Sequence, residues 1–319
     1  MNKSKMSAVI ILIFSAAFIF ALMEISARIS LSRLKGGYPA GMYVLDDALG
    51  FSYKKNFSGA FPGVYRNVTI KINSAGFRDY ERTEGKSGRI RILAVGDSVT
   101  FGAGVNLEDA YPSLLENEIN KLNSPNESFE VFNMGIDSYG FTQEKILAEK
   151  EALVYKPDAI IIGFVLNDIE EFSREKAADE KSGMPLCASC SNAKLIFHLN
   201  YSSDYFSALY NAWKGPDFEN IKPEILELSS FCAENNITLI FAVFPYKEQF
   251  DNAINDSFMP QRILENELSK DNISYVDLKD ILMNCSECYL PYDSVHLNEK
   301  GNLKVAETIS GFIHTNKLY

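Results

Sequence analysis

A chain of 319 residues with 46% hydrophobic content is long enough for one large packed domain plus an appendage, which excludes an intrinsically disordered protein. A formal net charge of -11 excludes a nucleic-acid binder, because neutralising phosphates requires clustered Lys and Arg and no basic run occurs. The first element is apolar: MSAVIILIFSAAFIFALM runs from Met6 to Met23 without a charge, preceded by Lys3 and Lys5. That length approaches the ~20 residues that cross a hydrocarbon core. The run meets Glu24 directly and has no good small-residue cleavage site, so residues 1–30 read as a single uncleaved signal anchor rather than a cleaved signal peptide. A long domain following such a span is translocated largely regardless of Arg28, Arg33 and Lys35. The rest of the chain is therefore expected in the periplasm or at the cell surface.

Residues 31–88 are rich in Gly, Tyr, Phe and Asn, with one β-like run at Val68 to Ile72, and read as a membrane-proximal extension packed on the main domain. From Arg89 strands alternate with helices. Apolar runs predict strands at Ile90 to Val95, Phe129 to Asn133, Ala159 to Phe164, Thr238 to Phe244 and Ile273 to Leu278. Amphipathic stretches predict helices at Asp109 to Leu122, Thr142 to Tyr155, Lys222 to Glu234, Pro260 to Ser269 and Lys300 to Thr315. This alternation predicts a three-layer α/β/α sandwich with a mostly parallel sheet over residues 89–319. The polar stretch at 171–200 is longer than an ordinary connection and is a candidate lid or substrate-binding insertion.

The five cysteines form two C-x-x-C pairs, Cys187/Cys190 and Cys285/Cys288, plus a lone Cys232 on an apolar helical stripe. Outside the cytoplasm such pairs form disulfides, within each pair or between the two. The alternatives are free thiols, or one zinc site with all four as ligands, which the gap of about 95 residues between the pairs disfavours. Cys232 reads as a buried small hydrophobe.

Ligands of a parallel sheet bind beyond the carboxyl ends of its strands, and each chemical motif here falls at such an end. The first strand runs into Gly96-Asp97-Ser98. A serine there also caps helices, but as a nucleophile it requires an imidazole base. The chain has three histidines. His314 lies in the last helix and His198 in the insertion, whereas His296 follows Asp293 by three residues in the loop before that helix. That spacing lets a carboxylate reach Nδ1 and leaves Nε2 for the serine. Oxyanion donors are offered by the glycine-bearing loop around Ser138 and Gly140, and by Asn167 of the Asn167-Asp168 pair. Taken singly, each is ordinary loop chemistry. No cluster of His and carboxylates has metal-ligand spacing, and no phosphate-binding or dinucleotide fingerprint is present, so neither a metal nor a cofactor is expected.

In order, these blocks (strand and Gly-Asp-Ser, strand and Asn/Gly loop, strand and Asn-Asp, final strand and Asp-x-x-His) resemble the SGNH/GDSL hydrolase family over residues 96–296. With its apolar N-terminus and "NSAGFRDYE" at 73–81, the chain looks like the membrane-anchored bacterial type. The resemblance implies a flavodoxin-like fold with Ser98 as nucleophile, His296 as general base and Asp293 orienting it. Asn167, the Ser98 N–H and one N–H from Ser138 or Gly140 would form the oxyanion hole. Two departures are Ser138, where many members have glycine, and Val165, where many have glycine before the Asn. Gly76-Phe77-Arg78 reads as structural, with Phe77 buried and Arg78 available for a carboxylate. The implied activity is hydrolysis of an O-acyl ester, foremost O-acetyl, on a small molecule or a cell-surface glycan. The same serine chemistry would serve an O-acyltransferase with a sugar hydroxyl as acceptor, and a third reading is an inactive binding module.

Overall fold

The computed structural model describes residues 39–62, 67–85, 88–122, 127–170, 201–250, 256–291 and 293–319, with four positions between 15 and 22. Apart from those four positions the expected anchor lies outside the described residues, as do the 171–200 insertion, Cys187, Cys190 and His198. Among the described residues no helix is long and apolar enough to cross a membrane.

Two antiparallel hairpins lead the fold, β1 (Tyr43–Asp46) with β2 (Gly50–Tyr53) and β3 (Ser58–Pro62) with β4 (Asn67–Lys71). Five parallel strands follow: β5 (Ile90–Gly96), β6 (Phe129–Gly135), β7 (Ala159–Val165), β8 (Thr238–Phe244) and β9 (Ser274–Asp277). Their order across the sheet is β6-β5-β7-β8-β9. This is the flavodoxin-like order, in which connections leave β5 in opposite directions and open a crevice beyond the ends of β5 and β7. β7 is buried along its whole length and β5 along nearly all of it, as a sheet covered on both faces requires. Ile160, Ile161 and Ile162 are fully buried, each contributing roughly 1.5–3 kcal/mol.

The helices are α1 (Ser98–Phe101), α2 (Tyr111–Leu122), α3 (Phe141–Tyr155), α4 (Tyr201–Ala212), α5 (Pro216–Glu234), α6 (Met259–Lys270), α7 (Lys279–Met283) and α8 (Glu299–Asn316). Helices α2 and α8 pack together, and the Tyr111 N–H donates to Asn302 Oδ1 at 3.0 Å across their contact. Right-handed crossovers put α3 and α5, which also pack together, on the opposite face.

Helix α1 lies directly on the strand ends because three glycines form one row there. Gly96 of β5 stands opposite Gly135 of β6 and Gly163 of β7. A Cβ on Gly96 or Gly163 would sit 2.1 or 2.3 Å from Thr100 Oγ1, and one on Gly135 would sit 2.1 Å from the Phe101 nitrogen. The helix is closed by Gly102, whose φ of 81° is left-handed. Arg78 completes the closure: its guanidinium donates to the carbonyls of Phe101 (2.9 Å), Gly102 (2.7 Å) and Val105 (2.6 Å) and lies over the Phe101 ring. Three bonds of this arginine, read from the sequence as available for a carboxylate, thus go to backbone carbonyls.

Three elements depart from expectation. β4 falls on the β-like run expected at Val68 to Ile72, but β1, β2 and β3, of four or five residues, are too short for alternation to register, and aromatic packing on the main layer holds the first hairpin, with Tyr53 against Phe101 at 5.3 Å and Phe51 against Tyr139 at 5.2 Å. Helix α5 begins at Pro216 rather than Lys222, because Gly215-Pro216 supplies the start and Pro223 is carried inside. Helix α4 has a Tyr-, Ser- and Asn-rich sequence of low propensity, stabilised by burial of Phe206, Leu209 and Tyr210 and of the following Trp213.

Gly135→Ala is expected to lift α1 from the sheet and to lower stability by about 1–3 kcal/mol, the cost of overpacking a tight contact. Urea unfolding measures the loss, and a crystal structure of the variant locates the shift.

Candidate active site

Asp97 caps α1 by accepting from the Val99 N–H at 2.8 Å, which leaves Ser98 as the first helical residue, partly exposed at the tip of β5. Its N–H is among those a helix start leaves without an intrahelical acceptor. Ser98 Oγ lies 2.8 Å from His296 Nε2, and His296 Nδ1 lies 2.9 Å from Asp293 Oδ2. A carboxylate only accepts, so Nδ1 carries a proton, and in the neutral ring Nε2 faces the hydroxyl as an acceptor. The other Asp293 oxygen takes the N–H groups of Val295 (2.9 Å) and His296 (2.8 Å), fixing the turn that the three-residue spacing anticipates. The His296 and Asp293 side chains keep 25% and 23% of their surface exposed, so a substrate can reach the pair.

Burial would lower the His296 pKa, but Asp293, with smaller help from Asp97 and Asp137, outweighs it and raises the imidazole to about 9. Burial would raise Asp293, yet the charge and hydrogen bond of His296 hold that carboxyl down at about 2. Burial lifts Asp97 to about 6. The surrounding carboxylates thus favour the protonated imidazole.

Two neighbouring strand ends add donors. Asn167 sits in a tight turn, Leu166–Ile169, beyond β7, and its Oδ1 accepts from the Tyr246 hydroxyl at 3.1 Å. Its neighbour Asp168 points inward and accepts from the Val165 N–H at 2.6 Å. Beyond β6, Ser138 is exposed with φ of 64°, the left-handed conformation that glycine adopts freely and that costs another residue about 1 kcal/mol. Among the described residues its N–H has no acceptor. Gly140 serves differently from expectation: its N–H donates to Gln143 Oε1 at 3.3 Å at the start of α3, and its missing Cβ makes room for the carbonyls of Asp168 and Glu170. This loop is gripped by the first hairpin, with Tyr43 donating to Asp137 Oδ2 and the Asp137 N–H donating to Tyr53 Oη, both at 2.8 Å.

Cys285 and Cys288 are joined in a buried disulfide, so these two sulfurs are not available as zinc ligands. The bridge lies beside the His296 loop: Leu290 N–H donates to the His296 carbonyl, and Asn298 N–H donates to the Cys288 carbonyl, each at 2.9 Å. Among the described residues no group of His, Cys, Asp and Glu is arranged to hold a metal ion. Cys232 is buried, and burial pushes its thiol up to about 12, as an inert hydrophobe requires. His314 is exposed on α8, and the Ser98 partner is His296 instead. The sequence reading missed Tyr246, although it follows β8 and that strand end was the one left without a candidate.

A parallel α/β layer that presents a serine hydroxyl to an imidazole and the imidazole to a carboxylate defines the serine-hydrolase class of site. The family model described as GDSL-like Lipase/Acylhydrolase matches residues 92–309, and the chain belongs to this family. It is similar to an acetylxylan esterase of Xylanibacter ruminicola, 23% identical over 237 residues, a match covering 72% of this chain and 44% of that protein. The chain thus spans less than half the length of this curated relative. Among solved structures it is similar to a lipolytic protein of the G-D-S-L family from Desulfitobacterium hafniense, at 21% identity, 70% and 99% coverage of the two chains, and TM-score 0.45. It is also similar to a Clostridium thermocellum family 3 carbohydrate esterase, at 15% identity, 72% and 97% coverage, and TM-score 0.47.

The imidazole C–H resonance of His296 is expected to titrate near pH 9 and to move back toward 6.5 in Asp293→Asn, as NMR would show. Because the His296 pKa is raised and the Asp293 pKa is lowered, the stability this pair contributes is full between about 4 and 6.5, and is lost as pH climbs through 9 or falls through 2. The disulfide spans a sequence separation of 3, so its removal returns little loop entropy to the unfolded state and costs about 2 kcal/mol. Cys285→Ala with Cys288→Ala should leave the sheet amides protected while hydrogen exchange quickens at the Leu290 and Asn298 N–H groups.

Proposed function

We propose that this chain is a serine esterase that removes an O-acyl group, foremost acetyl, from a glycan hydroxyl. The observation that carries this reading is the unbroken line from Ser98 Oγ through His296 to Asp293, set at the crevice between β5 and β7. Ser98 attacks the acyl carbonyl while Nε2 takes its proton. The developing oxyanion is met by the Ser98 and Ser138 N–H groups and by Asn167 Nδ2. As the carbon–oxygen bond breaks, His296 returns the proton to the departing alcohol, leaving acyl-Ser98. Water, deprotonated by His296, then releases the acid and restores the serine.

The substrate class is supported by the similarity to an acetylxylan esterase. Location outside the cytoplasm, tethered by residues 1–30, is supported by the uncharged run from Met6 to Met23 and by the disulfide, since such bonds persist in oxidising compartments.

The test is p-nitrophenyl acetate hydrolysis by the full chain in detergent, beside Ser98→Ala, with a fluorophosphonate probe on both. The parent should turn over and label, and the variant should lose about 10⁴-fold or more in rate together with the label. A parent that labels yet scarcely hydrolyses would point to acyl transfer onto a sugar hydroxyl. A folded parent that does neither overturns the reading.

A further inference from the structure

An asparagine side chain can donate to an oxyanion only when its nitrogen, not its oxygen, faces the substrate. The two ends have nearly the same shape, so a neighbour must set the orientation. For Asn167 that neighbour is Tyr246, whose hydroxyl donates to Oδ1 at 3.1 Å and leaves Nδ2 as the end turned elsewhere. Tyr246 is well suited to hold a fixed direction. Its side chain is buried, its ring lies 6.0 Å from that of Phe206, and its N–H donates to Gln249 Oε1 at 2.9 Å. Gln249 is itself locked: it forms a reciprocal amide pair with Gln261, each bond 2.9 Å, and donates to the Ser257 carbonyl at 2.6 Å.

The same turn also reaches the base. Lys247 N–H donates to the Ser294 carbonyl at 2.8 Å, the Ser294 hydroxyl donates to Glu248, and the Tyr289 hydroxyl donates to the Pro245 carbonyl at 3.1 Å. Ser294 lies between Asp293 and His296. Helix α4 packs both on the Leu166–Ile169 turn and on the Lys247–Phe250 turn, and the following Trp213 donates its indole N–H to the Leu166 carbonyl at 3.0 Å. We propose that the segment from Pro245 to Phe250 is a positioning element that joins Asn167 to the loop of Asp293 and His296, with Tyr246 as the positioning residue that aims the Asn167 amide. This rests on the reading of Asn167 as an oxyanion donor. Tyr246 takes no proton from the substrate and touches none of the reacting atoms; it acts through Asn167.

Tyr246→Phe keeps the ring and removes only the hydroxyl. In the full chain it should lower kcat about 10- to 100-fold with KM within about twofold, less than the 10²- to 10³-fold that follows loss of an oxyanion donor. Asn167→Ala should show that larger loss, and Tyr246→Phe added to it should cost nothing more, because the amide it aims is gone. Equal losses from Tyr246→Phe in both backgrounds would mark a merely structural role and overturn the proposal, as would an unchanged kcat. A readout independent of turnover is the Asn167 side-chain NH₂ signal in NMR. It should be one sharp pair in the parent and exchange-broadened in Tyr246→Phe, and an unaltered pair overturns the proposal even if no ester is hydrolysed. Failure of the esterase reading is recognised separately, by a parent chain that neither hydrolyses nor labels.

Discussion

The row of Gly135, Gly96 and Gly163 across the ends of three adjacent strands is the constraint from which the site follows. Without side chains there, α1 can rest on the sheet with Thr100 seated between Gly96 and Gly163 and the Phe101 backbone against Gly135. That contact fixes the height and pitch of the turn carrying Ser98, and so decides where an imidazole must come to meet it. Arg78 and Gly102 close the far end of the same four-residue helix, which is too short to hold itself by its own hydrogen bonds. Tertiary contacts thus do for this segment what propagation does for a longer helix.

Electrostatics at the site are dominated by one neighbour. Asp293 sets the tautomer of His296 and stabilises the imidazolium, while Asp97 and Asp137 act in the same sense from further off. A base held this way binds a proton strongly. The acidic surroundings therefore stabilise the charged ring over the neutral one.

Much of this could be read from the residues. The five sheet strands announced themselves because fully buried parallel strands are continuous apolar runs, and Ser98, Asn167 and the Asp293-x-x-His296 spacing stood at their ends. The glycine row could not be recognised as a row, since Gly96, Gly135 and Gly163 become neighbours only through the strand register. Gly140 and Ser138 illustrate the same limit: both looked able to offer a backbone N–H, and only the capping by Gln143 and the left-handed φ of Ser138 separate them. Tyr246 carries no motif at all. Its partner Asn167 is 79 residues away, and no local pattern encodes such a contact.

Contacts of that span have a further consequence. Ser98 and His296 are 198 residues apart, and the Tyr111–Asn302 bond that holds α2 against α8 spans 191. Contacts so distant along the chain form late, after the loop between them has been closed. A chain synthesised from its N-terminus has its serine long before the imidazole and the last helix exist. The meeting of Ser98 with His296 therefore waits until the C-terminal part of the chain has docked.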